Sequence, residues 1–513
     1  MKSIREQVGG RPLSAVTPER MGAEAACRTQ LESMVQLWLA AGAGTSQEAM
    51  MKCMIEAWQK LPEDGKEELR RLLKESSKHT SVPKSVTTGG PTDRPGQLKG
   101  YPFSRPEPLA CAPDNVYVFR GKNQEILGWR NVFDLPIQYD VELCPGLLSP
   151  ESPILSSRFL PKDGPRRRFI VIDEAVHKLY GDKIAVNMTN NGVTVHTVVL
   201  PGEEANKRME AVDTILEQLC CFGLRRREPI LAVGGGVLLD IVGMAASLYR
   251  RGVPFIRVPT TLLALVDASV GVKNGVDYCS CSMGPQKNRV GTFYAPVGAF
   301  LDKSFIATQD ERNIVNGLGE IMKLALVRST ELFGLLEDHG ARLVKERFQG
   351  ADDVADRVIQ LSVQIMLEEL GPNLWEHRLE RCVDYGHTFS KIIEMLPGAD
   401  IMHGEAVNVD GFLCLVIAER RGMISTAVLQ RVFSVMKSIG LPTIHDGVEL
   451  KFMEKALLDA VEHRHGKQRV PLVSGGVGTS VCVNDISSEE LKAAIDEAWT
   501  LHDIANDFKR ILG

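Results

Sequence analysis

The sequence lacks a long apolar run, a paired-cysteine motif and a strong excess of one charge. No stretch reaches the roughly 18–20 apolar residues that a transmembrane helix needs. The 11 cysteines contain no CxxC pair, and scattered cysteines in a chain of 513 residues are typical of free thiols in a reducing compartment. The net charge of −5, with both signs mixed, argues against nucleic acid or an anionic membrane as the main partner.

The first residues also lack the apolar centre of a secretory signal peptide, because charged side chains fall there. We therefore expect a cytosolic protein. An organelle transit peptide stays open, although Glu6, Glu19 and Glu24 fit one poorly. A hydrophobic fraction of 44% is ordinary for a globular chain, and the length predicts two or three domains.

Three segments differ in composition. Residues 1–110 predict a helical extension followed by a flexible linker rich in Ser, Thr, Pro and Gly, and both an interaction element and a solvated appendage fit it. Residues 111–308 alternate β-branched runs with helical patterns, which predicts an α/β domain with a mainly parallel sheet. Residues 309–513 are mostly helix-prone and predict an α-helical domain. We expect a small-molecule site in the cleft between these two domains.

Three consecutive glycines, 234–236, follow an apolar strand pattern and precede a helical one. Such a turn lets backbone N–H groups and a helix N-terminus approach phosphate oxygens, although a plain tight turn fits equally. Asp240 adds a hydrogen-bond acceptor four residues later. Upstream, Glu204 and Lys207 place a carboxylate and an amine three residues apart, which also suits the solvated start of a helix.

A second motif places Asp267 and Lys273 among small apolar residues, shortly before the polar run from Gln286 to Arg289. A charged side chain in such surroundings is costly unless it is paired or used. The motif therefore predicts either a structural ion pair or a cradle for a cofactor and a phosphate.

A third constellation involves His387 and His403, which lie 16 residues apart, each beside a glycine. Either histidine alone is commonly structural. Glu320 shares a helix face with Lys323, and that pair alone is an ordinary ion pair. Taken with Glu320, the histidines form a His₂Glu set that suits Zn²⁺ or a similar ion with open coordination positions.

Seven segments in order, GGGVLLD, RRG, VPTTLLALVDASVGVK, KNRVGTF, GLGEIMK, YGHTFS and HGEAV, resemble the dehydroquinate-synthase-like sugar-phosphate cyclases over about residues 165–470. The resemblance implies a Rossmann-like α/β domain plus a helical domain, a homodimer, NAD, and one divalent metal (Zn or Co) held by Glu320, His387 and His403. It implies NAD contacts from Asp173, Glu204, Lys207, Gly235, Gly236, Val237, Asp240, Thr260, Thr261, Leu263, Asp267 and Lys273. It implies substrate-binding or catalytic roles for Lys273, Asn288, Lys323, Asp267, Lys287, Arg251, Asp384 and Lys467, with Arg251 expected to reach a phosphate across the dimer.

The implied reaction is that of a carbon–oxygen lyase. Transient oxidation by NAD, phosphate elimination, reduction and an intramolecular aldol step close a carbocycle. A metal-dependent polyol dehydrogenase on the same scaffold is an alternative, and a non-enzymatic scaffold is another.

The segment before His387 favours one branch of the family. Dehydroquinate synthases resemble one another in an arginine seven residues before that histidine, where this chain has Glu380 with Arg381 displaced by one. A carboxylate substrate is disfavoured beside Glu380, so we expect sedoheptulose 7-phosphate. Asp384 and HGEAV favour resemblance to 2-epi-5-epi-valiolone synthases over demethyl-4-deoxygadusol synthases. Lys391 departs from both patterns and either contacts a phosphate or points to solvent.

Overall fold

The computed structural model describes residues 107–109, 112–120, 123–132, 135–280 and 284–512. The predicted helical extension and most of the predicted linker lie outside these residues. Every helix within the described ranges is too short or too polar to span a bilayer. The seven cysteines that are described are all free thiols, as predicted.

A small sheet comes first along the chain. Its strands are β1 (Glu107–Leu109), β2 (Ala112–Arg120) and β3 (Ile126–Asn131), in that order. β1 occupies the end of the predicted linker. Residues 117–130 belong to a different compact unit from residues 131–513, which contain all of the predicted site.

The larger unit is built on a six-stranded sheet in which every neighbouring pair is parallel, so the predicted parallel sheet is confirmed. The strand order is β4–β11–β8–β7–β5–β6. The six strands are β4 (Asp140–Leu143), β5 (Arg167–Asp173), β6 (Thr194–Leu200), β7 (Ile230–Gly234), β8 (Phe255–Pro259) and β11 (Gly298–Leu301). The central strands are buried because both faces of the sheet are covered, and their buried side chains are apolar apart from Arg168 of β5 and Arg257 of β8.

Helices cover this sheet on both faces: α1 (Pro153–Ser157), α2 (Glu174–Asn190), α3 (Met209–Phe222) and α4 (Gly236–Leu248). Side chains of a strand alternate between faces, so β5 supplies both cores. Phe169 and Val171 enter one apolar cluster with α3 and α4, whereas Ile170 and Ile172 enter another with α2.

An antiparallel hairpin follows β8. β9 (Lys273–Ser280) pairs with β10 (Gly284–Phe293), and the register shifts between Gln286 and Val290. This irregularity falls on Lys287, Asn288 and Arg289, and Asn288 has a positive φ of 51°. A bulge redirects side chains, and here it redirects the polar run singled out in the sequence.

The remaining chain is mostly helical, as predicted. Its helices are α5 (Glu311–Arg328), α6 (Thr330–Lys345), α7 (Val354–Leu370), α8 (Ser390–Glu394), α9 (His403–Arg420), α10 (Thr426–Ile439), α11 (Leu450–His463) and α12 (Ser488–Leu512). One large apolar core joins them. This region also contains a short hairpin of β12 (Val470–Val473) and β13 (Ser480–Val483), which the sequence does not predict because a four-residue apolar run fits a helix as well as a strand.

Candidate active site

The three predicted metal ligands come together. Glu320 lies in the middle of α5, His387 in the loop before α8, and His403 at the first position of α9. Glu320 Oε1 is 3.5 Å from His387 Nε2 and 3.4 Å from His403 Nε2. One ligand atom from each residue falls within 4.8 Å of the others, a spacing that suits a single ion.

Two glycines let the ligand-bearing helices approach. A Cβ on Gly319 of α5 would lie 2.1 Å from the carbonyl oxygen of Gly404, and a Cβ on Gly404 would lie 1.9 Å from the carbonyl oxygen of Asn316. The backbones of α5 and α9 are therefore in direct contact beside Glu320 and His403. The glycine next to each of these ligands sets the distance between them.

The loop that carries His387 is held from beneath by a buried carboxylate. Asp410 Oδ2, on α9, accepts hydrogen bonds from the backbone N–H groups of Thr388 (2.8 Å), Phe389 (2.5 Å) and Ser390 (2.9 Å). Gly386 has a φ of +74°, and a Cβ there would meet the Val407 carbonyl at 2.6 Å. The sequence does not predict this role for Asp410, because nothing in the sequence shows that the carboxylate is buried.

Hydrogen bonds on the far side of each imidazole orient its Nε2. His387 Nδ1 lies 3.0 Å from the Tyr385 carbonyl oxygen, and His403 Nδ1 lies 3.0 Å from Glu394 Oε1. Such partners fix the ring and leave Nε2 for a metal. Glu394, also missed in the sequence, sits on the last turn of α8.

The electrostatic environment differs between the two histidines. Burial, aided by Lys323, lowers the pKa of His387 to about 3. Burial acts the same way on His403, but Glu394 and Glu320 outweigh it and raise the pKa of His403 to about 9.

The buried donors fit a divalent cation. Glu320 Oε1 is buried and has no hydrogen-bond partner among the described residues apart from the nearby histidine nitrogens, and Lys323 Nζ lies 2.5 Å from Oε2. Burial opposes ionisation of Glu320, but Lys323 and the histidines hold its pKa well below its usual range. Two imidazole nitrogens and one carboxylate oxygen form a donor set typical of Zn²⁺ or Co²⁺ sites with open positions.

The predicted NAD contacts gather at the carboxyl edge of the sheet, because parallel strands end on the same side. Asp173 ends β5, Gly235 follows β7, and Thr260 follows β8. The chain order reverses between β5 and β7, where α/β sheets bind ligands. The other predicted contacts near these strand ends are Gly236, Val237, Thr261 and Leu263.

This edge fits the phosphates of a nucleotide. The N-cap residue of α4 is Gly235, which has no side chain, so within the described part of the chain no side chain caps the first backbone N–H groups of this helix. A Cβ on Gly236 would press against Ala268 at 3.3 Å, which leaves little room for a side chain. The buried hydroxyl of Thr260 has no hydrogen-bond partner among the described residues. Asp173 caps α2 through the N–H groups of Ala175 and Val176.

A chain of polar contacts runs from this edge to the hairpin bulge. Lys207 Nζ lies 2.7 Å from Asp240 and donates to Asn288 Oδ1 at 2.7 Å. Asp240 and Glu204 outweigh burial and raise the pKa of Lys207. Lys207 therefore pairs most closely with Asp240 rather than with Glu204, the partner that the sequence spacing suggested.

Lys287 joins the metal cluster to the same edge. Its ammonium contacts Glu394 and lies 3.3 Å from Glu204. Both carboxylates outweigh burial and raise the pKa of Lys287. Glu394 therefore contacts both His403, a predicted metal ligand, and Lys287, a lysine predicted to bind the substrate.

A buried arginine holds the Asp267–Lys273 segment in place. Arg257 of β8 donates to the carbonyl oxygens of Ala268, Gly271 and Lys273, and to Asn274 Oδ1. Asp267 is nearby in the same segment, and burial together with Glu320 raises its pKa. Of the two alternatives that the sequence left open for this segment, the ion pair between Asp267 and Lys273 is absent among the described contacts, and Lys273 pairs with Glu376 at 3.0 Å.

The segment before His387 forms a second charged cluster. Arg381 bonds Asp384 through Nε at 3.1 Å and contacts Glu376. Glu380 faces Arg469 at 3.2 Å. Arg381 and Arg464 outweigh burial and lower the pKa of Asp384. Burial would lower the pKa of Lys323, but the charges of Glu320, Asp267 and, more weakly, Asp384 outweigh it and raise that pKa.

Three predicted basic residues have no ion pair or hydrogen bond within the described part of the chain. Lys467 is exposed on the loop after α11, whereas Lys391, on α8, keeps solvent access along its side chain while its ammonium group is largely surrounded by protein. Burial within a cationic neighbourhood that includes Arg464 and Lys273 lowers the pKa of Lys391. Arg251 is exposed beyond the C-terminus of α4, at the opposite end of that helix from the glycines.

Comparison with known proteins extends these observations. The family models described as "3-dehydroquinate synthase N-terminal" and "3-dehydroquinate synthase C-terminal" match residues 197–316 and 317–463. A 2-epi-5-epi-valiolone synthase from Actinoplanes sp. is 46% identical over 385 residues, which cover 74% of this chain and 94% of that protein. A demethyl-4-deoxygadusol synthase from Trichormus variabilis is 33% identical over 70% of this chain and 87% of its own length.

A solved structure shares the fold. It is ValA, the 2-epi-5-epi-valiolone synthase of Streptomyces hygroscopicus subsp. jinggangensis 5008, with NAD⁺ and Zn²⁺ bound. The identity is 43%, the TM-score is 0.68, and the match covers 72% of this chain and 99% of ValA.

Proposed function

The chain belongs to the 3-dehydroquinate synthase family, and from this membership we propose that it is a sugar-phosphate cyclase that converts sedoheptulose 7-phosphate to 2-epi-5-epi-valiolone with loss of phosphate. The observation that carries the choice of product is the 46% identity to a 2-epi-5-epi-valiolone synthase, against 33% to a demethyl-4-deoxygadusol synthase. The reaction would be a carbon–oxygen bond cleavage acting on a phosphate ester.

The proposed cofactors are NAD and one divalent metal, Zn²⁺ or Co²⁺. When bound, they would supply reversible hydride transfer and polarisation of the substrate oxygens. Glu320, His387 and His403 would hold the metal through the buried oxygen and the two oriented Nε2 atoms. The uncapped start of α4 and the Thr260 hydroxyl would receive the nucleotide.

The remaining polar residues would bind and orient the sugar phosphate. Lys207 holds Asn288 at the hairpin bulge, so the amide presents a fixed orientation. Lys323 and Lys287 stay protonated because neighbouring carboxylates raise the pKa of each. These two ammonium groups would donate hydrogen bonds to substrate oxygens and favour negative charge as it develops there.

The segment before His387 supports a substrate without a carboxylate. Arg381 is engaged by Asp384 and Glu376, and Glu380 adds a further negative charge beside Arg469. A neutral hydroxymethyl group meets no like charge there, whereas a carboxylate would. Lys391 and the exposed Lys467 would attract the phosphate, and Arg251 would complete the phosphate site across a homodimer.

The proposal is tested by incubating the full chain with sedoheptulose 7-phosphate, NAD⁺ and Zn²⁺ or Co²⁺. We expect release of inorganic phosphate, no net NADH, and 2-epi-5-epi-valiolone identified by NMR. Accumulating NADH without a carbocycle would instead indicate a polyol dehydrogenase, and demethyl-4-deoxygadusol would assign the other branch. His387→Ala should lose both the metal and the activity.

A further inference from the structure

The first turn of α9, which carries His403, begins after a residue that caps a helix poorly. That residue is Met402, and its thioether is a weak hydrogen-bond acceptor compared with the hydroxyl, amide or carboxylate that usually stands there. The first backbone N–H groups of any helix have no partner within the helix. The turn that presents a predicted metal ligand therefore depends on other side chains for its cap.

Two residues of α5 complete this cap. Asn316 Oδ1 accepts the backbone N–H of Gly404 at 2.6 Å. Glu405 Oε2 accepts the backbone N–H of Met402 at 2.8 Å. Arg312 holds the Glu405 carboxylate in turn, with Nε donating to Oε1 at 2.8 Å and Nη2 donating to Oε2 at 2.9 Å. Asn316 thus caps α9 directly, and Arg312 caps it through Glu405.

Arg312 also fixes the chain that enters α9. Its Nη1 donates to Asp400 Oδ1 at 2.9 Å, and its Nη2 donates to the carbonyl oxygen of Asp400 at 3.0 Å. Glu405 is only 7% exposed, and a buried carboxylate is costly unless a cation pairs with it. The guanidinium therefore satisfies that charge and ties it to the segment just before His403.

The contacts between α5 and α9 follow a regular pattern. Three residues of α5 at intervals of four lie on one face of that helix: Arg312, Asn316 and Glu320. Their partners on α9 are three consecutive residues: Glu405, Gly404 and His403. The glycine contact described above sets the distance between the two helices. Hydrogen bonds are directional, so this polar stripe also sets the rotation of α9 about its own axis.

We propose that Arg312 and Asn316 are positioning residues for the metal site, which fix the rotation of α9 so that the imidazole of His403 faces Glu320. The inference rests on the proposed function, because His403 is taken there as a metal ligand. It deepens that function by assigning a task to two side chains that supply no ligand atom themselves.

The chain offers a matched control for Arg312. Arg421, just after the other end of α9, makes the same four bonds: Nε and Nη2 to the carboxylate of Glu490, and Nη1 and Nη2 to the side chain and carbonyl oxygen of Asp485. Its side chain is 20% exposed, against 45% for Arg312. Loss of Arg421 should therefore destabilise the fold at least as much, at the end of α9 that carries no metal ligand.

The first test compares these two arginines in the full chain. Zinc affinity is measured by competition with a chelator, and stability by thermal unfolding of the metal-free protein. Arg312→Met should weaken zinc binding about tenfold or more. Arg421→Met should bind zinc like the wild type, although its unfolding temperature falls at least as far. Equal zinc affinities in the two variants would overturn the role of Arg312.

The role of Asn316 is tested by removing its acceptor and then restoring one. Asn316→Ala leaves the Gly404 N–H without its acceptor and should weaken zinc binding about tenfold. Asn316→Asp keeps an acceptor oxygen, and a carboxylate suits the N-terminus of a helix, so its zinc affinity should stay near that of the wild type. An aspartate variant as weak as the alanine variant would contradict the capping role.

Cobalt reports the geometry of the site separately from its affinity. With Co²⁺ at saturation, the visible absorption spectrum should change in Arg312→Met and Asn316→Ala and stay as in the wild type in Arg421→Met. Wild-type spectra in both of the first two variants would mean that these residues only stabilise the fold, and the inference would be wrong. Failure of the proposed function looks different: the wild-type chain would form no carbocycle from sedoheptulose 7-phosphate, while the contrasts in zinc affinity stand.

Discussion

Replacement of Gly319 by alanine should damage the metal site without touching any metal ligand. The new methyl group would lie 2.1 Å from the carbonyl oxygen of Gly404 and 2.6 Å from its carbonyl carbon. Both are backbone atoms of α9, so neither can rotate away. An ordinary contact needs about 3.4 Å, so α5 and α9 would have to separate by about 1.3 Å.

The expected magnitude follows from that displacement. Metal–ligand distances tolerate only about 0.2 Å of error, so moving Glu320 away from His403 by about 1 Å breaks the geometry. We expect the affinity for Zn²⁺ to fall at least about 100-fold. Overpacking the helix crossing should also lower the free energy of unfolding of the metal-free protein by about 3 kcal/mol.

The assay separates the two effects. Zinc affinity is measured by competition with a chromogenic chelator, and stability by thermal unfolding in the presence of excess chelator. Gly334→Ala on α6 is the matched control, because nothing lies within 4 Å of its added Cβ and its φ is not positive. That variant should bind zinc like the wild type and gain up to about 1 kcal/mol of stability. Wild-type zinc affinity in Gly319→Ala would refute the reasoning.

Four further substitutions probe other parts of the site. Glu394→Gln should weaken zinc binding by about 10- to 100-fold in a chelator competition, whereas the equally buried Glu228→Gln should leave it unchanged. Glu228→Gln should instead lower the free energy of unfolding by about 2 kcal/mol at pH 7. Burial opposes ionisation of Glu228, but Arg167 lowers its pKa from the ordinary value of 4.5. The difference in free energy of unfolding between Glu228→Gln and the wild type, measured by denaturant titration, should therefore shrink as the pH falls below about 4.5. Asp410→Ala leaves three backbone N–H groups without an acceptor and should cost at least about 3 kcal/mol in unfolding experiments, together with zinc affinity. Arg257→Met removes the donor of four oxygen acceptors and should lower the free energy of unfolding by about 3–5 kcal/mol. It should also weaken NAD binding in a fluorescence titration. An unchanged NAD affinity would contradict the role of Arg257 in holding the segment around Asp267.

The order of short motifs was enough to predict the metal-binding set, because Glu320, His387 and His403 carry the ligand atoms themselves. The strand–glycine–helix pattern at 234–236 likewise predicted a turn at the carboxyl edge of the sheet, and its role in binding NAD stays a prediction. What supports those residues was not predictable. Glu394 differs in no visible way from an exposed helical glutamate.

Long-range pairing explains the other misses. In the sequence, Arg381 is only an arginine displaced by one position from the family pattern, but in the structure Glu376 and Asp384 contact it. Glu376 also pairs with Lys273, which lies 103 positions earlier in the chain. Lys207 was read with its neighbour Glu204, whereas folding places it against Asp240. Spacing along the chain reports partners on one helix face and is silent about partners on different elements.

The shared carboxylate of Glu394 has a consequence for how ligands assemble on this protein. Glu394 contacts His403 on one side and Lys287 on the other. Lys287 also pairs with Glu204, which lies near the carboxyl edge of the parallel sheet. With the metal on His403 and the nucleotide beside Glu204, as proposed, each ligand would order the same chain of ion pairs from its own end. Free-energy coupling of this kind is reciprocal: the factor by which zinc tightens the binding of NAD must equal the factor by which NAD tightens the binding of zinc. Loading in either order would then reach the same ternary state, with the hairpin β9–β10 as the element that carries the cooperativity.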